Sequence, residues 1–210
     1  MNAATALSRL RALGVPVFST SNAAIALGQS PESASQTLCR LRAAGVAFSL
    51  RKGLWTLEVP ADPMSLLEDL TAPYPAYVSL FSAMYLREMM DQVPRAVYAV
   101  SPGRGRTIRT PFAEYRIHHL PADLFEGYEY LPDRRIRLAT AEKALFDFLY
   151  LSCITTRLSR SLPELDFPRG FRAARVRAFA RRIPTRRLRG LVEDRFEALL
   201  RGRDDPGARV

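Results

Sequence analysis

The chain has 210 residues, 48% of them hydrophobic, and a formal net charge of +10. This length and apolar fraction exclude a disordered tail and permit a buried core divided between two domains of unequal size, while the excess of cations favours a polyanionic partner. The charge is uneven: residues 1–57 hold six Arg or Lys against one acid, residues 58–150 ten against thirteen, and residues 151–210 fifteen against seven.

Taken in chain order, the spacing of Ala6, Leu7, Leu10 and Leu13 gives a helix over 3–13 one apolar face. Ser19 or Thr20 caps a short helix through Ala23, Ala24, Ile25 and Leu27, which Gly28 stops. Ser30 caps the next helix, with Pro31 at its first position, where the missing N–H costs nothing. Ala34, Leu38 and Leu41 recur there at i, i+4, i+7 and face inward, and Gly45 ends it. Ser33, Gln36, Thr37 and Arg40 form its polar or basic face, suited to the major groove of double-stranded DNA, where Gln pairs with adenine and Arg with guanine or phosphate. Glu32 at its start complements the helix dipole and repels phosphate, so base contact is expected from Ser33 onward. Residues 48–50 and 54–57 read as two strands joined by Arg51, Lys52 and Gly53, a basic turn placed to touch a phosphate backbone. This order of elements is that of a winged helix-turn-helix, assigned to residues 1–59.

Pro60, Pro63, Pro73 and Pro75 punctuate the following stretch, placing the domain boundary near residues 59–63 and a short helix at 64–70. A buried helix is expected over 79–90 and strands over 96–100, 107–109 and 114–120, giving a small sheet with helices on it. The strongest helix of this second domain, 139–154, carries Leu145, Phe148, Leu149 and Leu151 as an apolar stripe. Two basic amphipathic helices, 171–182 and 185–201, separated by Pro184, close the fold before a frayed tail. The fold class is therefore α+β: an N-terminal winged helix-turn-helix, then a mixed α/β domain over 60–210 with a small sheet and C-terminal helices.

No constellation makes a positive case for catalysis, and no cofactor or metal is expected. Gly103 and Gly105 lack the third glycine and the helix of a dinucleotide fingerprint. His118 and His119, adjacent on a strand, point to opposite faces and cannot share a metal. Lys143 and Asp147 stand at i, i+4 and read as an ordinary helical ion pair, with no partner visible that would perturb their ionisation. Cys39 and Cys153 lie in helical, apolar contexts and read as reduced structural thiols. Without a signal-peptide layout or a long apolar run, the expectation is a cytoplasmic protein with no membrane contact.

Three stretches carry a more specific resemblance: Tyr77-Val78-Ser79-Leu80-Phe81-Ser82-Ala83-Met84, Val93-Pro94-Arg95-Ala96-Val97-Tyr98 and Ala139-Thr140-Ala141-Glu142-Lys143-Ala144-Leu145-Phe146-Asp147. With the hairpin Arg51-Lys52-Gly53-Leu54-Trp55, the helix opening at Ser30-Pro31 and the Arg-rich C-terminal helices, they resemble the AbiEi-type antitoxins of abortive-infection (type IV) toxin–antitoxin systems. The likeness runs over most of the chain, and the Glu-Lys-Ala-Leu helix is its most specific part. Trp55 stands where Tyr is expected, and Leu86-Arg87 where many relatives continue with His-Gly.

The resemblance implies a DNA-binding autorepressor that binds inverted repeats in its own promoter. Its second domain would counter a cognate nucleotidyltransferase-like toxin without requiring a stable complex. Ser33, Gln36, Thr37 and Arg40 would then read bases, and Arg51 and Lys52 would anchor phosphates. Arg172, Arg175, Arg181 and Arg182 would extend the DNA track, act in antitoxicity, or form a solvated helix face. The alternative is a winged-helix transcriptional regulator with a ligand- or protein-binding second domain and no toxin partner.

Overall fold

The computed structural model describes residues 2–60, 62–154 and 164–204, with side chains as far as Arg201; the tail expected to fray lies, from residue 205, outside the described residues. The fold is α+β. Its first part is α1 (Ala3–Arg11), β1 (Val17–Ser19), α2 (Thr20–Leu27), α3 (Pro31–Ala43), β2 (Phe48–Arg51) and β3 (Leu54–Thr56). The three strands make an antiparallel sheet in the order β1-β3-β2. Local chemistry sets these boundaries. The Ser19 hydroxyl accepts the Asn22 N–H while Asn22 Oδ1 accepts the Ser19 N–H, a reciprocal cap on α2. The Ser30 hydroxyl accepts the Ser33 N–H at the start of α3. Gly53, at φ +76°, allows the tight β2–β3 turn, and β1, which the alternation did not reveal in so short a run, pairs Phe18 with Trp55.

The remainder builds a six-stranded mixed sheet from β4 (Tyr77–Val78), β5 (Val97–Ser101), β6 (Arg106–Arg109), β7 (Glu114–His119), β8 (Tyr128–Leu131) and β9 (Ile136–Ala139), in the order β6-β7-β5-β4-β9-β8. β4 pairs antiparallel to β5 and parallel to β9, so two residues of β4 hold the sheet together at its middle. The helices are α4 (Leu67–Thr71), α5 (Leu80–Leu86), α6 (Ala141–Ile154), α7 (Ala173–Arg181) and α8 (Arg186–Asp204). The helix expected over 79–90 stops at Leu86, because Glu88 turns to φ +57° and Met89 N–H returns to the Met84 carbonyl. At the Leu86-Arg87 departure, Arg87 Nε donates to the Ala139 carbonyl at 3.0 Å and its guanidinium pairs with Glu129, tying the end of α5 to the β8–β9 hairpin. Residues 139 and 140 belong to β9 and the turn after it, so α6 begins two residues later than the periodicity suggests.

Helix α6 is buried from Ala141 to Ser152 without interruption, which makes it a central helix enclosed by the sheet and by α5, α7 and α8. Two hydrophobic clusters result. The smaller one gathers Leu10, Phe18, Leu27, Leu38, Leu41 and Trp55 among α1–α3 and the first sheet. The larger one runs from Leu66 to Phe196 and also includes Leu50 of β2, while Phe48 meets Phe112 with ring centroids 5.2 Å apart. No helix among the described residues is long and apolar enough to cross a membrane.

Gly127, at φ +75°, leads into β8 where no side chain fits: a Cβ there would stand 2.7 Å from Phe179 Cζ and 3.0 Å from Lys143 Cγ. Gly127→Ala is therefore expected to lower stability by about 2–4 kcal/mol through strain and overpacking, measured by urea denaturation of both proteins. An unchanged midpoint would contradict the close approach of α6 and α7 to this turn.

Candidate nucleic-acid interface

Helix α3 turns Ala34, Leu38 and Leu41 into the smaller cluster, and this orients its other face to solvent. Ser33, Gln36 and Arg40 stand exposed there, as the spacing predicts. Thr37 does not. It is 5% exposed, its hydroxyl donates to Gln29 Oε1 at 3.1 Å, and it accepts from Arg40 Nη2 at 3.2 Å. Its position between Gln36 and Leu38 lies on the flank of α3 facing the turn from α2, so it braces that turn and aims Arg40 instead of offering a free hydroxyl. Cys39 corrects the sequence reading in the opposite direction: the thiol expected to be structural is exposed, one residue before Arg40. Cys153 is half-buried, and burial pushes its thiol up from the ordinary value.

The β2–β3 hairpin is fixed to the helices by Trp55, buried and paired through Nε1 to the Thr20 hydroxyl at 3.0 Å. The indole therefore locks the hairpin to the first turn of α2, a bond a phenol of different reach would have to make otherwise. Lys52 is exposed at the tip, while Arg51 is half-buried with Nε enclosed, so Lys52 offers the freer cation. Glu32 sits at the open start of α3, its carboxyl held below its usual range by its own backbone N–H and by Ser30.

A second cluster was not legible as such from the residues. Lys143 and Asp147 do pair, yet neither side chain has any exposure. Asp147 Oδ2 also accepts from the Tyr77 hydroxyl at 3.0 Å and the Ser79 hydroxyl at 2.7 Å. The Lys143 ammonium lies 4.6 Å from the ring centroid of Phe146, 5.4 Å from Phe179 and 5.8 Å from Tyr77. Burial pushes the Asp147 carboxyl up and the Lys143 ammonium down, opposed in each case by the partner charge, and the Tyr77 phenol rises well above its ordinary value for the same reason. The helical ion pair expected at this spacing is present, but as part of a buried network. The signal was the unbroken apolar surround of α6 together with the rarity of lysine, present only at 52 and 143.

The four C-terminal arginines divide. Arg172 caps α7, its N–H donating to Glu142 Oε1 at 3.0 Å, and Arg175 approaches the same oxygen at 3.8 Å. Arg182 pairs with Glu126, whereas Arg181 is exposed. The glycines of the basic turn are spaced for packing: a Cβ at Gly103 would strike Tyr74 at 2.8 Å, and one at Gly105 would crowd the backbone of β7 at 3.2 Å. His119 Nδ1 bonds the Gly103 carbonyl at 3.0 Å, and the His118 ring lies parallel to Tyr98. Among the described residues no group of three His, Cys, Asp or Glu is placed to hold a metal ion.

No family model matches the chain, and no curated protein is significantly similar to it.

Lys143→Met strands the Asp147 carboxylate in the interior and is expected to cost about 3–5 kcal/mol of stability. Removing both charges in Lys143→Met with Asp147→Leu is expected to restore much of that loss, read by chemical denaturation. Equal stabilities of the single variant and the parent would show that the pair is not sealed from water.

Proposed function

We propose that the chain is a DNA-binding antitoxin that represses its own operon through a winged helix-turn-helix over residues 1–59. Residues 60–210 counter a nucleotidyltransferase-like toxin. The observation that carries the DNA half is the solvent face of α3: Ser33, Gln36 and Arg40 are exposed together, with Lys52 exposed on the β2–β3 hairpin that Trp55 fastens to α2. A helix with free donors beside a cationic hairpin suits a duplex, the helix meeting base edges and the hairpin a phosphate strand. The antitoxin half rests on the resemblance carried by the Tyr77 to Met84 and Ala139 to Asp147 stretches, whose polar residues Tyr77, Ser79, Lys143 and Asp147 join in one buried network. On this reading that network shapes the second domain and performs no chemistry.

Affinity for the upstream DNA of its own operon is expected to fall linearly with the logarithm of salt concentration, and Lys52→Ala to reduce the slope by about one. Gln36→Ala is expected to weaken the specific site about tenfold while leaving random duplex binding nearly unchanged, since a base contact carries the specificity. Bound operator should also shield Cys39 from a thiol reagent, which attacks it readily in the free protein. Equal alkylation of Cys39 with and without DNA would move the duplex off α3. Rescue of growth when the chain is co-expressed with its toxin tests the second half independently, and full toxicity in the presence of a folded, operator-binding chain would remove it.

A further inference from the structure

At the open end of the β8–β9 hairpin lies a hollow of about 340 Å³, lined by Glu126, Gly127, Thr140, Arg175, Phe179 and Arg182. Its near wall is the pair of residues flanking the hairpin, Gly127 before β8 and Thr140 after β9, held together by the Thr140 N–H donating to the Gly127 carbonyl at 3.0 Å. The far wall is one face of α7, with Arg175 and Arg182 seven residues apart and Phe179 between them.

The donors around this hollow are unequally engaged. Arg175 lies 3.8 Å from Glu142 Oε1, beyond hydrogen bonding, and that oxygen already accepts the Arg172 N–H. No hydrogen bond among the described residues engages the Arg175 guanidinium, which is more than half exposed. The Thr140 hydroxyl accepts the Lys143 N–H at 3.3 Å, leaving its own proton to donate. Arg182 pairs with Glu126 at the rim, and the buried Lys143 packs beneath Gly127 and Phe179. Glu126 and Glu142 balance the two guanidiniums, so an anion enters by taking Arg182 over from Glu126.

We propose that this hollow binds the phosphoryl group of a small phosphorylated molecule. Arg175 and Thr140 are its first contacts, Arg182 completes the clamp, and Phe179 gives an apolar wall for the rest of the ligand. Guanidinium forks match the paired oxygens of a phosphoryl group, and the volume falls within the span of about 300–1,000 Å³ used for small-molecule sites. The site shares no residue with α3 or the β2–β3 hairpin, so it stands or falls apart from promoter recognition.

Calorimetric titration of the full chain at low salt, with inorganic phosphate, pyrophosphate and ATP as separate probes, tests it. Saturable binding of all three means that the phosphoryl group alone is recognised, and binding of ATP alone means a nucleotide; both support the site. Arg175→Gln, or Arg175→Lys should the first variant fold poorly, is expected to weaken binding about tenfold, the worth of a charge-assisted contact. Glu126→Gln should strengthen it by releasing Arg182, and Arg187→Gln, exposed on α8, should leave it unchanged. No saturable binding of any probe at millimolar concentration, an Arg175 variant that binds like the parent, or equal losses at Arg175 and Arg187 would each overturn the proposal.

Discussion

One carboxylate without access to water organises the larger part of this protein. Asp147 gathers an ammonium from its own helix, a phenol from β4 and a hydroxyl from the residue that opens α5. Ionised carboxyl groups are costly to bury, and the cost is offset only when several donors converge in good geometry. That convergence fixes how β4, α5 and α6 meet. Lys143 extends the constraint outward, because its ammonium is enclosed by the faces of Tyr77, Phe146 and Phe179, and Phe179 belongs to α7. A central sheet strand of only two residues can hold its place in such a setting, since side-chain bonds supplement a very short ladder.

Much of the backbone course was legible because its punctuation is local. Ser19, Ser30, Pro31 and Gly53 announce their caps and turns within a few residues, and the apolar spacing of α3 separates its inner from its outer face. What escaped depends on distant partners. β4 has only two residues and shows no alternation, while β8 and β9, no shorter than the strands the pattern did reveal, are defined by their pairing with each other and with β4. Thr37 looks equivalent to Gln36 in sequence, yet Gln29 claims its hydroxyl from eight residues away. Lys143 and Asp147 carry the spacing of a surface pair, and only the aromatic and apolar residues on every side of α6 distinguish them. The same blindness to distance made Cys39 look internal.

The net charge of +10 overstates the cations open to a partner. Arg109 and Arg116 share Glu114, Arg134 grips Asp62, Arg137 meets Glu68, Arg177 meets Glu197 and Arg182 meets Glu126. Among the described residues no ion pair involves a position before Asp62. The few cations of the first 57 residues thus have no acidic companion among the described residues, whereas eight of the arginines beyond them each meet a carboxylate. Location, not total charge, decides which cations stand without an acidic neighbour.

Leu50 sits on a strand whose neighbours fill the smaller cluster, but its own side chain is buried in the larger one, with Phe48 resting on Phe112. The hairpin is consequently a shared wall rather than an appendage. Cut after residue 59, the first part would carry an oily scar where Leu50 and Phe48 had been covered. Kept whole, the chain joins its two clusters at this point: Phe112 of the β6–β7 turn packs on the strand leading to Lys52, so the exposed tip is tied to the body behind it.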